Sequence, residues 1–195
     1  ADFFSASFHE KDPRKRPKLI DEINDVVINL RELRRIFKGI PIYYKTGNHE
    51  DRLRRYLSIK AEELLHDPEY EIPSKFKFGE LGIQHIDSLQ RIRAGKLLIF
   101  HGHEMRGSGG VNPARWLALK TKVSSMCGHF HRKSSHEWRD SHGTQFASYS
   151  LPCLCELTPD YLPENEWSHG FGIVDLQPSG EFVVTLKTII DGRVY

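Results

Sequence analysis

The spacing of apolar residues along the first two-thirds of the chain predicts helices that alternate with strands. Apolar residues recur every three or four positions over 18–37 and over 52–65, which predicts two amphipathic helices. Short apolar runs at 40–44, 82–86 and 96–100 predict strands between and after them. Helices and strands in alternation are typical of an α/β fold.

A third helix and a fourth strand continue this pattern. The helix is predicted at 114–120, with Asn112 as its cap and Pro113 in its first turn, and the strand follows at 122–127. Residues 66–80, after the second helix, carry two prolines and are predicted to form a loop or lid.

The last third of the chain predicts strands alone. They are expected at 134–138, 145–149, 171–176 and 182–189, with a turn at 178–180 joining the last two. The complete pattern predicts an α/β protein with two packed mixed β-sheets flanked by helices.

Length and charge place few limits on the partners. A chain of 195 residues fits one medium domain, so we expect 1–195 to fold as a single unit. The formal net charge of +2 favours no particular partner. Arginines are nevertheless clustered around Arg34 and around Arg52, where a solvated helix face and a phosphate-binding surface are the alternatives.

Cysteine content and hydropathy predict the cellular compartment. The three cysteines are too few for a disulfide framework, which favours a reducing compartment. We expect Cys153 and Cys155 to be small buried residues on one face of a strand rather than metal ligands. No apolar run approaches the ~20 residues of a membrane span, and no signal-peptide pattern is present, so we expect a cytoplasmic protein without membrane contact.

Three polar clusters follow predicted strands and carry candidate metal ligands. They are Gly47-Asn48-His49-Glu50, His101-Gly102-His103 and Gly128-His129-Phe130-His131. Imidazole nitrogens and amide oxygens bind divalent metals, and neighbouring strand ends converge, so the three clusters together predict one metal site.

Each cluster alone has a simpler alternative interpretation. Around Asn48 the alternative is a turn that caps the following helix, with Glu50 in that role. In the last cluster an extended backbone would place His129 and His131 on one side and Phe130 in the core, and the alternative is a surface or packing pair. Gly128 is expected to leave room where the backbone approaches a metal.

Taken in order from Asp2, these clusters resemble the motifs of the calcineurin-like metallophosphoesterase superfamily. That family's motifs run Asp-x-His, Gly-Asp-x-x-Asp, Gly-Asn-His-Asp/Glu, His and Gly-His-x-His, and the resemblance spans residues 2–131. It implies the family's two-sheet sandwich and a centre of two divalent metal ions, Mn²⁺ first, with Fe, Zn or Ni as alternatives.

The resemblance also implies roles for individual residues. Asp2 would bridge the two metals, His131 would bind one of them, and three further ligands would complete the other site: Asn48, His101 and His129. The general acid or charge stabiliser near the scissile phosphate would be His49. His103 would support a metal ligand or contact the substrate. Apart from the resemblance, Arg52 follows the Asn48 cluster closely enough to meet a substrate phosphate, with a solvated helix face as the alternative.

The chain departs from the family pattern at its N-terminus. The Asp-x-His motif and the first strand–helix unit are missing, Asp2-Phe3-Phe4 looks like the end of a strand, and Ala1 and Ser5 replace the glycine and the final aspartate of the second motif. Two explanations stay open. The sequence lacks the N-terminal strand and helix of the complete protein, or the protein is a degenerate member with one metal or none.

The implied function is hydrolysis of phosphoester bonds by metal-activated water. The substrate class extends over phosphomonoesters and phosphodiesters, with nucleotides and nucleic acid included. A non-catalytic binding or scaffold protein is the alternative, supported by the missing motif. A structural zinc module is disfavoured, since the cysteines are not expected to join the other ligands.

Overall fold

The computed structural model describes residues 2–7, 17–107 and 109–195, and the contacts of the chain group it into two compact units, Ala1–Ser88 and Leu89–Tyr195. Residues 8–17 are charged and carry two prolines, which predicts a loop, and most of them lie outside the described residues. Among the described residues, no helix is both long enough and apolar enough to cross a membrane.

The first unit contains four α-helices and two strands in its described part. Its elements are α1 (Leu19–Ile36), β1 (Ile42–Lys45), α2 (Glu50–Lys60), α3 (Ile72–Lys75), α4 (Phe78–Leu81) and β2 (Ile83–Ile86). Short 3₁₀ helices lie at Phe4–Ala6, Glu62–His66 and Pro68–Tyr70.

The core of the first unit lies between α1 and a parallel pair of strands. The helix buries Ile23, Val27 and Leu30, which are spaced to share one face. Strands β1 and β2 pair in parallel. Phe3 and Phe76 are fully buried and stack with ring centroids 5.8 Å apart.

Two local predictions for this unit were wrong. The segment at Phe3 is not the end of a strand, because Phe3 has a φ of 49° and leads into a 3₁₀ helix whose Phe4 N–H donates to the Glu22 carboxylate at 2.7 Å. The predicted loop at 66–80 contains helices, since Pro68 and Pro73 lie in first turns, where a missing N–H costs nothing.

The second unit contains most of the β structure. Its elements are β3 (Ile92–Ala94), β4 (Leu97–Phe100), α5 (Pro113–Thr121), β5 (Ser125–Cys127), β6 (Ser134–Arg139), β7 (Gln145–Ser150), β8 (Gly170–Leu176), β9 (Phe182–Ile190) and β10 (Arg193–Val194), with a 3₁₀ helix at His103–Met105. Asn112 caps α5 as predicted, because its Oδ1 accepts the Arg115 N–H at 2.9 Å.

The strands of the second unit form a mixed sheet and an antiparallel one. The mixed sheet has the order β3-β4-β5-β7-β6, with β4, β5 and β7 parallel and both edge strands antiparallel to their neighbours. The other sheet has the order β10-β9-β8. The predicted α/β class, with mixed β structure flanked by helices, is therefore confirmed at this level of detail.

Candidate metal centre

Two of the predicted clusters lie at neighbouring strand ends in the second unit. Strand β4 ends at Phe100 and β5 at Cys127, and these two residues are paired in the parallel register. Beyond this pair, the His101 carbonyl accepts the N–H groups of Gly128 and His129 at 3.0 and 2.9 Å. The backbone pairing therefore continues past the strands and fixes the position of His129 beside His101.

The side chains of His101, His103 and His129 form an imidazole cluster. Nε2 of His101 lies 3.2 Å from Nδ1 of His129, and the ring of His103 has its centroid 5.0 Å from His101 and 6.2 Å from His129. Two nitrogens that share one ion at ~2.0–2.2 Å lie about 3–3.5 Å apart. The two rings are joined here by a hydrogen bond, and their nitrogen–nitrogen separation also lies within the range of two imidazoles on a single divalent metal.

Glu104 holds this cluster in place, although the sequence analysis did not single it out. Its carboxylate accepts the N–H of His101 at 3.0 Å and of Gly102 at 2.5 Å, and Oε2 lies 3.6 Å from Nδ1 of His103. Burial and the nearby Glu104 carboxylate raise the pKa of the Cys127 thiol to about 12. The available signal was a carboxylate four residues after the end of β4.

Of the two glycines in these clusters, Gly102 occupies a position that excludes a side chain and Gly128 does not. Gly102 has a φ of +123°, and a Cβ placed on it would lie 2.7 Å from Cβ of His129. A Cβ on Gly128 would meet no described atom within 4 Å. The close backbone approach expected at Gly128 occurs at Gly102.

The backbone around His131 is a turn, so the prediction of an extended segment was wrong. The His131 N–H donates to the Gly128 carbonyl at 3.3 Å, and His131 has a φ of 59°. The ring of His131 packs on Trp167 with centroids 4.4 Å apart, while His129 meets His101. Phe130 is buried, as predicted.

The prediction for Cys153 and Cys155 was also wrong. Cys155 is exposed and Cys153 is half-buried at an isolated bridge to His169, so they are not a buried pair on one strand. Their Sγ atoms and a ring nitrogen of His131 all lie within 4.8 Å of one another. The cysteines therefore do join one of the predicted ligands, which a two-residue spacing could not reveal.

A cavity of about 410 Å³ lies next to His129. Its lining includes Phe130, Arg132, Trp167 and four residues of the segment 162–166. Arg132 donates to the Glu166 carboxylate and to the Gly110 carbonyl, both at 2.7 Å. This arginine was not identified from the sequence, because no motif marks it.

The Asn48 cluster lies at the C-terminal end of β1 in the first unit, as predicted. Buried Glu50 accepts the Gly47 N–H at 2.7 Å and the Tyr44 hydroxyl at 2.8 Å, so it holds the turn before α2. The predicted cap is not formed, because the N-cap residue of α2 is His49 and it makes no side-chain capping hydrogen bond. Burial and the Glu50 carboxylate raise the pKa of Tyr44. Asn48 is half-buried in this turn.

Asp2, His49 and Arg52 form a second polar group in the first unit. Oδ1 of Asp2 lies 2.8 Å from Nδ1 of His49 and 2.9 Å from Nη1 of Arg52. The hydrogen bond from His49 and the charge of Arg52 lower the pKa of Asp2, against the opposing effect of burial. Three predicted site residues therefore meet through direct contacts.

The chain was also compared with known proteins. No protein-family model matches it, and no curated protein gives a significant match. The function is therefore argued from the side chains themselves.

Proposed function

We propose that the chain is a metal-dependent phosphoesterase with the calcineurin-like sandwich fold, acting on phosphomonoesters or phosphodiesters. The observation that carries the proposal is the gathering of three imidazoles, those of His101, His103 and His129, at two adjacent parallel strand ends. Clusters of imidazoles at strand ends of α/β sheets are suited to metal binding. Among the ions that imidazole accepts, we propose Mn²⁺ first, with Fe, Zn or Ni as alternatives.

His101 and His129 would hold the ion, and Glu104 would orient them through the backbone of His101. A bound divalent ion would supply Lewis acidity that polarises the phosphoryl group and lowers the pKa of water. His103 lies at the edge of the same cluster and is proposed to contact the substrate. Nucleotides and nucleic acid stay within the proposed substrate class.

The cavity beside His129 is the proposed place for the substrate phosphate. Arg132 lines it with a half-buried side chain whose guanidinium is already held by Glu166 and Gly110. A held guanidinium binds phosphate oxygens in pairs and loses little side-chain entropy on doing so. Arg132 is therefore proposed to bind and orient the phosphate.

The roles of the first unit's residues rest on the motif resemblance. Asp2 and Asn48 are proposed as metal ligands, together with a second ion at His131, and Arg52 is proposed to contact the substrate. His49 is proposed to donate a proton to the leaving oxygen. The sparse cysteines favour the cytoplasm as the place of action.

A second candidate function is a binding protein without hydrolytic activity. It is favoured by the contacts of Asp2, because its Oδ1 is held by both His49 and Arg52 in the structure. A carboxylate engaged in this way must give up hydrogen bonds before it can bind a metal.

Hydrolysis of two aryl phosphates tests the proposal and separates the candidates. The purified chain is incubated with p-nitrophenyl phosphate and with bis-(p-nitrophenyl) phosphate in the presence of Mn²⁺, Fe²⁺, Zn²⁺ or Ni²⁺ in turn. The proposal expects metal-dependent release of nitrophenol from at least one ester, abolished by a chelator. Metal binding without hydrolysis of either ester, under any of the four ions, would favour the binding protein.

A further inference from the structure

We propose that His131, Cys153 and Cys155 form a Zn²⁺ site of the Cys₂His type, apart from the His101–His129 pair, so that the ion held by His131 is this zinc. The three candidate ligand atoms lie within 4.8 Å of one another, in the second unit alone. The motif resemblance gives no role to either cysteine, so this site goes beyond the proposed function and does not rest on it.

The distances agree with a tetrahedral ion. With Zn–S near 2.3 Å and Zn–N near 2.0–2.1 Å, a thiolate sulfur and an imidazole nitrogen on one Zn²⁺ lie about 3.6 Å apart. Sγ of Cys155 lies 3.6 Å from Nδ1 of His131. Sγ of Cys153 lies within 4.8 Å of both of these atoms, so a small rotation of its side chain brings it to the same ion.

The backbone already brings the three ligands together. The Ser168 N–H donates to the His131 carbonyl at 3.0 Å, and the Cys153 N–H donates to the Ser168 carbonyl at 2.9 Å. Nε2 of His169 donates to the Cys155 carbonyl at 2.6 Å. Segments far apart in sequence are thus linked at the site, which lowers the entropic cost of arranging the ligands.

The donor atoms select a different metal from the imidazole cluster. Two thiolates and one imidazole suit Zn²⁺ and disfavour Mn²⁺ and Mg²⁺, which prefer oxygen ligands. Trp167 packs on the ring of His131 and restricts its rotation. Exposure of Cys155 gives an ion access from solvent, and three protein ligands leave one tetrahedral position to water or an added ligand.

Cobalt substitution tests the site directly. Co²⁺ is added to the reduced, metal-free chain without oxygen, and the near-ultraviolet absorption is recorded, where thiolate-to-cobalt charge transfer appears. The parent is expected to show this band at one Co²⁺ per chain. Cys155→Ser should lose about half of its intensity, and the double variant Cys153→Ser, Cys155→Ser should lose all of it.

Zn²⁺ protection from alkylation gives a second reading that needs no spectrum. Iodoacetamide should modify Cys155 and Cys153 in the metal-free chain, and Zn²⁺ should slow both reactions at least tenfold. Fully buried Cys127 should stay unmodified while the chain is folded, which makes it the internal control. His131→Ala should abolish the protection, whereas His142→Ala, at an exposed turn of the same unit, should keep it.

Two results would overturn the proposal. One is the absence of a thiolate band in the parent at saturating Co²⁺. The other is a thiolate band that persists in the double serine variant, or protection by Zn²⁺ that persists in His131→Ala. Since these readings follow thiolate ligation, they can fail while phosphoester hydrolysis persists, and the two proposals stay distinguishable.

Discussion

Nη2 of Arg52 lies 3.1 Å from Nε2 of His49. A guanidinium can only donate, so Nε2 of His49 accepts and its ring proton lies on Nδ1, where it is donated to Asp2 at 2.8 Å. His49 is therefore held as a neutral ring in one tautomer. For His49 to give a proton to a leaving group from Nε2, Arg52 must first move to the substrate and Nε2 must take up a proton from solvent, which links the two proposed roles.

His49→Ala should lower the rate of phosphoester hydrolysis by about 10²–10⁴-fold, the usual contribution of a positioned proton donor. Metal content should stay at the parental value, because His49 is not a proposed ligand. The hydrolysis rate and the metal bound per chain are measured on the same samples. His66→Ala, an exposed histidine of the same unit, serves as the control and should match the parent. Full activity in His49→Ala would remove it from the mechanism.

Asp2→Asn should destabilise the chain at neutral pH and not in acid. The pKa of Asp2 is lowered below its ordinary value of 3.8 in the folded state, so the hydrogen bond from His49 and the ion pair with Arg52 contribute stability above that pH. The contribution is lost as the pH falls through the lowered folded pKa. Urea unfolding of the metal-free chain, followed by circular dichroism at pH 7 and at successively lower pH, measures the difference between parent and variant.

The control for this experiment is Asp191→Asn, at an exposed turn where φ is 48° and asparagine is well tolerated. It should leave the pH dependence of the parent unchanged. A difference between parent and Asp2→Asn that grows toward acid pH would contradict the account of Asp2.

Much of this architecture follows from local sequence. Helix α1 was predicted within one residue at each end, because its apolar face repeats over five turns and Gly39 ends the pattern. The placement of His101 and His129 at strand ends also followed, since β4 is a short apolar run and the clusters come directly after the strands.

The errors arise where distant residues decide the local conformation. His131 has a positive φ in this turn, where its ring packs on Trp167 and its carbonyl accepts the Ser168 N–H. The sequence of residues 128–131 does not indicate these distant contacts. Glu104 was missed for a related reason, because its role is to bind backbone N–H groups, and a single carboxylate in a loop carries no pattern.

Gly102→Ala should disturb the imidazole cluster, whereas Gly128→Ala should not. The added Cβ at Gly102 would meet His129 at 2.7 Å in a backbone conformation that favours glycine, at a cost of about 1–3 kcal/mol in the free energy of unfolding. The added Cβ at Gly128 would enter open space. Urea unfolding followed by tryptophan fluorescence compares the two variants, and equal destabilisation would contradict the geometry at Gly102.

Glu104→Ala should weaken both stability and metal binding. Without the carboxylate, the N–H groups of His101 and Gly102 lose their acceptor, which costs about 1–3 kcal/mol in the free energy of unfolding. Loss of a group that orients a metal ligand lowers metal affinity by about 10–100-fold. Urea unfolding and a Mn²⁺ titration measure the two effects. Exposed Glu164→Ala, from the same unit, should change neither stability nor affinity by comparable amounts.

The most direct test of the metal centre is equilibrium dialysis of the chain against Mn²⁺, with His129→Ala compared with the parent and with His142→Ala. The proposed pairing of His101 with His129 predicts that the parent and His142→Ala bind Mn²⁺ with equal affinity, and that His129→Ala binds it at least about 100-fold more weakly. Unchanged Mn²⁺ affinity in His129→Ala would contradict the account.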